Sequence, residues 1–361
     1  MTVHTNEEKE SSMAEYDVVE IGDTLDNELE ENSVQNDGAV VPITIRMANR
    51  IASQLLREID DDETRNDTAM KKELISLIDR VVLQDNPSGD MDDFHNLAVE
   101  LARFDEYDLT CRVLQRALDY YPNEVDLLAD FIQYGTKCGR FVQSDEYYKR
   151  LIKIPKSRWT WRGFVFSVEY LLILVKSAGK NDSAIKQSER KMLDIAHQYR
   201  EYFPDNEEPY NLEARIYRSI RSNTKPNREE SVLEEALKKI KVCPKCALRY
   251  ADIMFEKGEY SIAMDTITKC VTMANQTQAS INEAYLNYLQ GLCRVALLLT
   301  NENKENEAEV LHVYTDFNLA LKSFKFNNEY KEVIRTKTNS LIAKYNVYVP
   351  EENEELIELI S

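Results

Sequence analysis

The sequence predicts an all-α protein, an α-solenoid of stacked helix-turn-helix repeats behind a disordered acidic tail. Two stretches lie end to end and share a 34-residue pattern, each reading as a pair of short helices unable to bury its apolar face alone. Only nine Gly and nine Pro occur in 361 residues, too few turns for an all-β or alternating chain. Long Leu, Ile, Ala, Glu, Lys and Tyr stretches repeat with a 3.6-residue period.

The chain divides into four parts. Residues 1–41 are the acidic tail: the first 40 hold 12 Asp or Glu against Lys9 alone, so they carry 11 of the 19 formal negative charges. Few large apolar residues interrupt the run, so burial does not offset a chain entropy of about 1–2 kcal/mol per residue. Two roles stand for it: a solvating segment, or one that folds onto a basic partner or the protein's own groove through Tyr16–Ile21. Residues 42–85 read as a capping hairpin. Pro42 precedes a helix striped by Ile43, Met47, Ile51, Leu55 and Ile59, and Asn66 or Asp67 caps a second one striped by Met70, Leu74, Leu77, Ile78 and Val81.

Residues 86–326 read as the solenoid, opening after the loop Asn86–Asp90. Its first copy places Phe94, Leu97, Ala98 and Leu101 on one helix and Tyr107, Thr110, Leu114 and Ala117 on the next, closed by Pro122. The second, 34 residues on, has Leu128, Phe131, Ile132 and Gly135, then Phe141, Ser144, Tyr148 and Leu151, with Pro155 one residue early. A third pair is longer, since Pro155 to Pro204 spans 49 residues. It places Trp161, Phe164, Val165 and Val168 on one helix and a second helix from about Ser183 to Tyr202. Further pairs follow: about Tyr210–Arg221 with Ser231–Val242, then the copy built on Tyr250, Ala251, Gly258, Tyr260 and Ala263. Helices over about Ala279–Leu299 and Glu307–Phe326 complete this part. Residues 327–361 read as a capping helix, Glu329–Tyr345, and a tail in which Leu356–Ile360 is a short amphipathic cap.

These positions resemble the tetratricopeptide repeat (TPR) family, whose repeat pairs large and small residues at fixed places on two helices. The likeness covers roughly residues 91–326. The departures are Glu213 at an expected Leu, Cys270 at an expected Ala, and shifted inter-repeat prolines. The resemblance implies a right-handed α-solenoid whose first helices line an inner groove, with the second, fifth, ninth and twelfth places of each repeat meeting a bound peptide. Transferred by register, the partner-binding groove is His95, Gln133, Arg162, Asn211, Arg215, Arg218, Lys245, Arg249 and Asp252. Arg215 and Arg218 share a helical face and Arg221 follows. Two readings stand: guanidinium forks that accept carboxylates or phosphates, or a solvated face paired with Glu213 or the acidic tail.

Catalytic, cofactor and metal motifs are absent from this reading. Cys243-Pro-Lys-Cys246 has the spacing of half a zinc site or of a redox dithiol, yet no second such pair or close His pair accompanies it and no strand precedes it. Structural packing is the reading that spacing leaves foremost, with thiol and metal chemistry behind it and Cys246 opening a helix. His4, His95, His197 and His312 are scattered. Ser177–Lys180 lacks the earlier glycine and strand of a phosphate loop. Six cysteines on core-facing positions suit reduced, packed thiols. The first residues lack a secretory signal and no stretch reaches about 18–20 uncharged apolar residues, so the expected compartment is the cytoplasm.

The expected function is therefore a non-enzymatic adaptor or scaffold that holds a partner's peptide or helix in the groove, with no cofactor, no membrane partner and, given the acidic balance, no nucleic acid. A ligand-sensing regulator of a separate effector and a thiol-dependent enzyme using Cys243 and Cys246 stand as alternatives.

Overall fold

In the computed structural model, residues 43–61, 67–85, 89–177, 182–220, 228–278, 281–300, 306–323 and 328–361 are described. The readings of the acidic tail, of the Asn66 cap, of Arg221 and of the loops at 86–88, 178–181, 222–227 and 301–305 lie outside them.

All regular structure among the described residues is helical. The helices are α1 (Ile45–Asp61), α2 (Asp67–Leu83), α3 (Met91–Arg103), α4 (Tyr107–Tyr120), α5 (Val125–Lys137), α6 (Phe141–Leu151), α7 (Trp161–Ser177) and α8 (Asp182–Tyr202). They continue with α9 (Glu208–Ile220), α10 (Arg228–Lys239), α11 (Pro244–Glu256), α12 (Tyr260–Thr277), α13 (Glu283–Thr300), α14 (Glu307–Ser323), α15 (Asn328–Tyr345) and α16 (Glu354–Ile360). Each odd-numbered helix from α1 to α13 packs on the even-numbered helix that follows it, and α5, α9, α11 and α13 also pack on the helix before them. First helices meet across hairpins, as α1 with α3, α5 with α7, α7 with α9, and α9 with α11. This is the stacked helix-turn-helix architecture of a TPR-like α-solenoid.

Local chemistry explains the hairpins. An Asp90 carboxylate accepts the Asp93 N–H at 2.9 Å while the Asp93 carboxylate accepts the Asp90 N–H at 3.1 Å, a reciprocal cap on α3. Three hairpins then close in one way. Gly139 and Gly258 both sit at φ +82°, and the next residue donates its N–H five residues back, Arg140 to Gly135 O at 2.7 Å and Glu259 to Met254 O at 2.9 Å. That is the left-handed stop of a helix, which glycine adopts without steric cost. The α3–α4 turn repeats it with Asp105 at φ 60° and Glu106 N–H on Leu101 O at 3.1 Å. An aspartate holds that conformation more readily than most side chains.

The pattern residues fill the interior. Phe94, Leu97, Ala98, Leu101, Phe131, Ile132, Leu151 and Phe164 are buried, each large one contributing about 1.5–3 kcal/mol. In the long hairpin, Phe164 stacks on Tyr199 with ring centres 4.7 Å apart and meets Phe203 edge-on, so its added length is tied to the same core. Two departures from the family pattern acquire reasons. Glu213, at an expected Leu, is buried in α9 but accepts from Arg200 at 2.8 Å and His197 at 3.2 Å of α8, replacing apolar packing with an ion pair. Cys270 is buried with its thiol 3.2 Å from Pro244 O.

Helix ends differ from expectation in places. The helix expected over 231–242 ends at Lys239, because Pro244 disfavours helical backbone at Cys243 and then starts α11 as its first residue. The helix expected from 279 begins at Glu283. At the C-terminal end, Leu356 is buried and its N–H meets Asn318 Oδ1 at 3.2 Å, while Tyr345 OH and Lys344 Nζ donate to Leu298 O at the end of α13.

Burial falls into three contiguous clusters that share helices rather than loops. Helix α9 gives Leu212 and Ile216 to the first and Tyr210 and Ala214 to the second. Helix α13 gives Leu286, Leu289 and Cys293 to the second, and Ala284, Tyr288 and Leu292 to the third.

Candidate functional site

The nine residues transferred by register all fall on the first helices α3, α5, α7, α9 and α11, and eight of them touch a side chain of a neighbouring element. In α3, His95 Nε2 lies 2.6 Å from Asp130 Oδ2 of α5, and Arg162 Nε of α7 lies 3.4 Å from the other oxygen. Asp130 is wholly buried, so His95 and Arg162 meet this carboxylate in place of water. Gln133, three residues on, is buried on the same helix.

A second cluster surrounds Arg218 of α9. Its guanidinium reaches Asp252 of α11 at 2.7 Å, Glu256 of α11 at 3.0 Å and Glu229 of α10 at 3.9 Å. Burial opposes charge on Arg218, yet Asp252 and Glu229 outweigh it and hold the guanidinium above its ordinary range. Burial pushes the Glu229 carboxyl up against the pull of Arg218 and Arg249. Asp252 also accepts the Tyr285 hydroxyl of α13 at 2.6 Å, which burial and that carboxylate push well above the ordinary phenol. Alongside, Arg249 Nε donates to Asn211 Oδ1 at 3.1 Å and Lys245 Nζ to Glu208 at 2.6 Å, both links running from α11 to α9.

Between the clusters, Arg215 of α9 donates to Glu169 of α7 at 3.0 Å. Near Glu169, Lys137 lies over the Tyr107 and Tyr134 rings at 4.8 and 5.8 Å, and burial lowers its pKa. Register thus placed all nine residues on first helices. The expected pairing of Arg215 and Arg218 with Glu213 is corrected: Glu213 faces α8, and the arginines are held by Glu169, Asp252, Glu256 and Glu229. The carboxylates Asp130, Glu169, Glu229 and Glu256 were missed. A cue existed, since Asp130 and Glu169 are acidic residues inside apolar stretches, where an unpaired charge is costly.

Cys243 and Cys246 do not form a dithiol unit. Cys243 caps α11 and its thiol lies 3.6 Å from Ile240 O, whereas Cys246 sits a turn inside and points to Glu207 O at 3.5 Å. Burial pushes Cys243 to about 11 and Cys246 well above the ordinary thiol, the opposite of a reactive thiolate. The adjacent Glu207 carboxylate accepts the Cys246 N–H at 3.0 Å at the start of α11, and burial raises its pKa to about 7. Among the described residues no group of three or more His, Cys, Asp or Glu is placed to hold a metal ion, and no helix is long and apolar enough to cross a membrane.

Hairpins stacked through their first helices, with a polar ladder crossing those helices, define a TPR-like helical-repeat protein. Among solved structures, the chain is similar to a thermophilic TPR protein of Thermus thermophilus, at 18% identity over 58% of this chain and 100% of that one, with a TM-score of 0.43. It is also similar to human IFIT1, solved as a dimer with m7Gppp-AAAA, at 12% identity over 87% of this chain and 72% of that one, with a TM-score of 0.44. No protein-family model and no curated protein matches the sequence.

Proposed function

We propose that the chain is a non-enzymatic adaptor or scaffold that holds a peptide or helix of a partner protein along the face of its first helices. The observation that carries this reading is the ladder itself: His95, Arg162, Arg215, Arg218, Lys245 and Arg249 sit on successive first helices and are joined across them by Asp130, Glu169, Asn211, Asp252 and Glu208. Because each of these groups meets a carboxylate or amide, the face offers balanced polar groups in place of an excess of one sign. It therefore suits a partner segment of mixed polarity that exchanges some of those contacts, in place of a polyanion.

Affinity purification of the intact protein from its native cell, beside an Arg215→Glu/Lys245→Glu variant whose thermal midpoint is measured in parallel, tests this. The expected outcome is a stoichiometric protein partner lost from the variant alone while its fold persists. A partner retained by that variant and lost from one altered on the second helices, Val142→Glu/Ile262→Glu, overturns it.

A further inference from the structure

We propose that Cys111 and Cys138 form a modification site, a dithiol that low-molecular-weight disulfides such as glutathione disulfide convert into a cross-link between the first two repeats. The pair is invisible to motif reading because 27 residues separate its members. The fold closes that gap. Cys111 is buried in α4, Cys138 caps the C-terminus of α5 at the glycine turn, and their sulfurs lie 3.7 Å apart. No other pair among the six cysteines has a sulfur–sulfur contact among the described residues, and the other four are buried. Cys138 alone is half-buried, so it is the sulfur an external reagent reaches.

Arg140, two residues past Cys138 and held by Asp108 at 2.5 Å, lies close enough to act on both sulfurs. Burial and the neighbouring sulfur push the Cys111 thiol up, and Arg140 pulls against them. Exchange starts at Cys138, the more exposed of the two thiols. Its thiolate attacks one sulfur of glutathione disulfide and expels a glutathione thiolate, leaving a mixed disulfide. Cys111 then yields its proton to the expelled thiolate and attacks Cys138 Sγ, expelling the second glutathione. The balance is two protein thiols and one glutathione disulfide in, one protein disulfide and two glutathiones out.

The product ties α4 to the α5 end across the α4–α5 connection, so it restrains the unfolded chain. The test incubates the reduced full-length protein with glutathione disulfide and maps its peptides by mass. Expected are loss of two of six thiols, a Cys111–Cys138 linked peptide two hydrogens lighter, and a thermal midpoint that rises and falls back with reductant. Cys138→Ser should stay unmodified, and Cys111→Ser should stop at the glutathione adduct. Six intact thiols under conditions that oxidise a free dithiol, or a Cys243–Cys246 linkage formed first, overturns the proposal. The wild-type map decides even where a variant fails to fold.

Discussion

The two polar clusters are built with opposite signs. Around Asp130 a buried carboxylate stands at the centre, with His95 and Arg162 contributed by the helices on either side. Around Arg218 a guanidinium stands at the centre, with Asp252, Glu256 and Glu229 about it. The contrast teaches that the sign of the central charge is free, while the need to match it across neighbouring helices is not. A buried ion pair is weak evidence of net stability, but removing one member leaves its partner uncompensated.

The largest effect should come from emptying the centre of the second cluster. Arg218→Ala leaves Asp252 and Glu256 without that guanidinium while Glu229 keeps Arg249 at 3.7 Å, and a loss of about 3–5 kcal/mol in urea unfolding is expected at pH 8. Those carboxylates then hold protons more tightly when folded than unfolded, so the deficit should shrink as pH falls toward 5. Asp130→Asn leaves one guanidinium and an imidazole without their carboxylate but keeps an amide oxygen there, so its loss should be about 1–3 kcal/mol. Equal losses for the two would break the contrast.

Glu207 sharpens the same contrast with a carboxyl whose burial outweighs the pull of nearby Lys245. Its folded pKa of about 7 exceeds its ordinary value of 4.5, so the folded state binds the extra proton and stability falls as pH rises between those values. The full span corresponds to about 3 kcal/mol as an upper limit. Glu207→Gln keeps an acceptor for the Cys246 N–H, so it should match the wild type near pH 5 and exceed it at pH 8. An unchanged pH slope would show that the carboxyl is already ionised in the fold. Asp316, raised to about 7 by burial against the pull of Arg294, keeps its own share of the slope.

The smallest effect concerns the turns. Gly139→Ala should lower stability by about 1 kcal/mol because φ +82° strains an added side chain, although the space around it is open. Asp105→Gly, at the equivalent turn, should lose little or gain slightly.

Much of this was legible in the chain. Spacing of Phe94, Leu97, Phe131 and Ile132 located the core faces because helical periodicity is a local property. Register located His95, Arg162, Arg218 and Asp252 on first helices for the same reason. Their partners were not legible: Asp130 with Arg162, or Arg218 with Glu229 and Asp252, depend on how two hairpins stack, and nothing within one helix specifies that. The cysteines show the gap most plainly. Cys243 and Cys246 are neighbours in sequence, yet backbone capping turns their sulfurs to different carbonyls, while Cys111 and Cys138 meet only because α4 packs on α5.

Helix α9 gives this stack a particular cooperativity. Its Leu212 and Ile216 close one interior and its Tyr210 and Ala214 open the next, so melting this single helix strips a wall from both. Rupture at mid-length is thereby penalised twice, whereas the terminal hairpins each guard one interior only. Loss of structure under stress should therefore run inward from the ends, one hairpin at a time, with the amides of α9, and of α13, which likewise serves two interiors, exchanging later than those of the terminal hairpins.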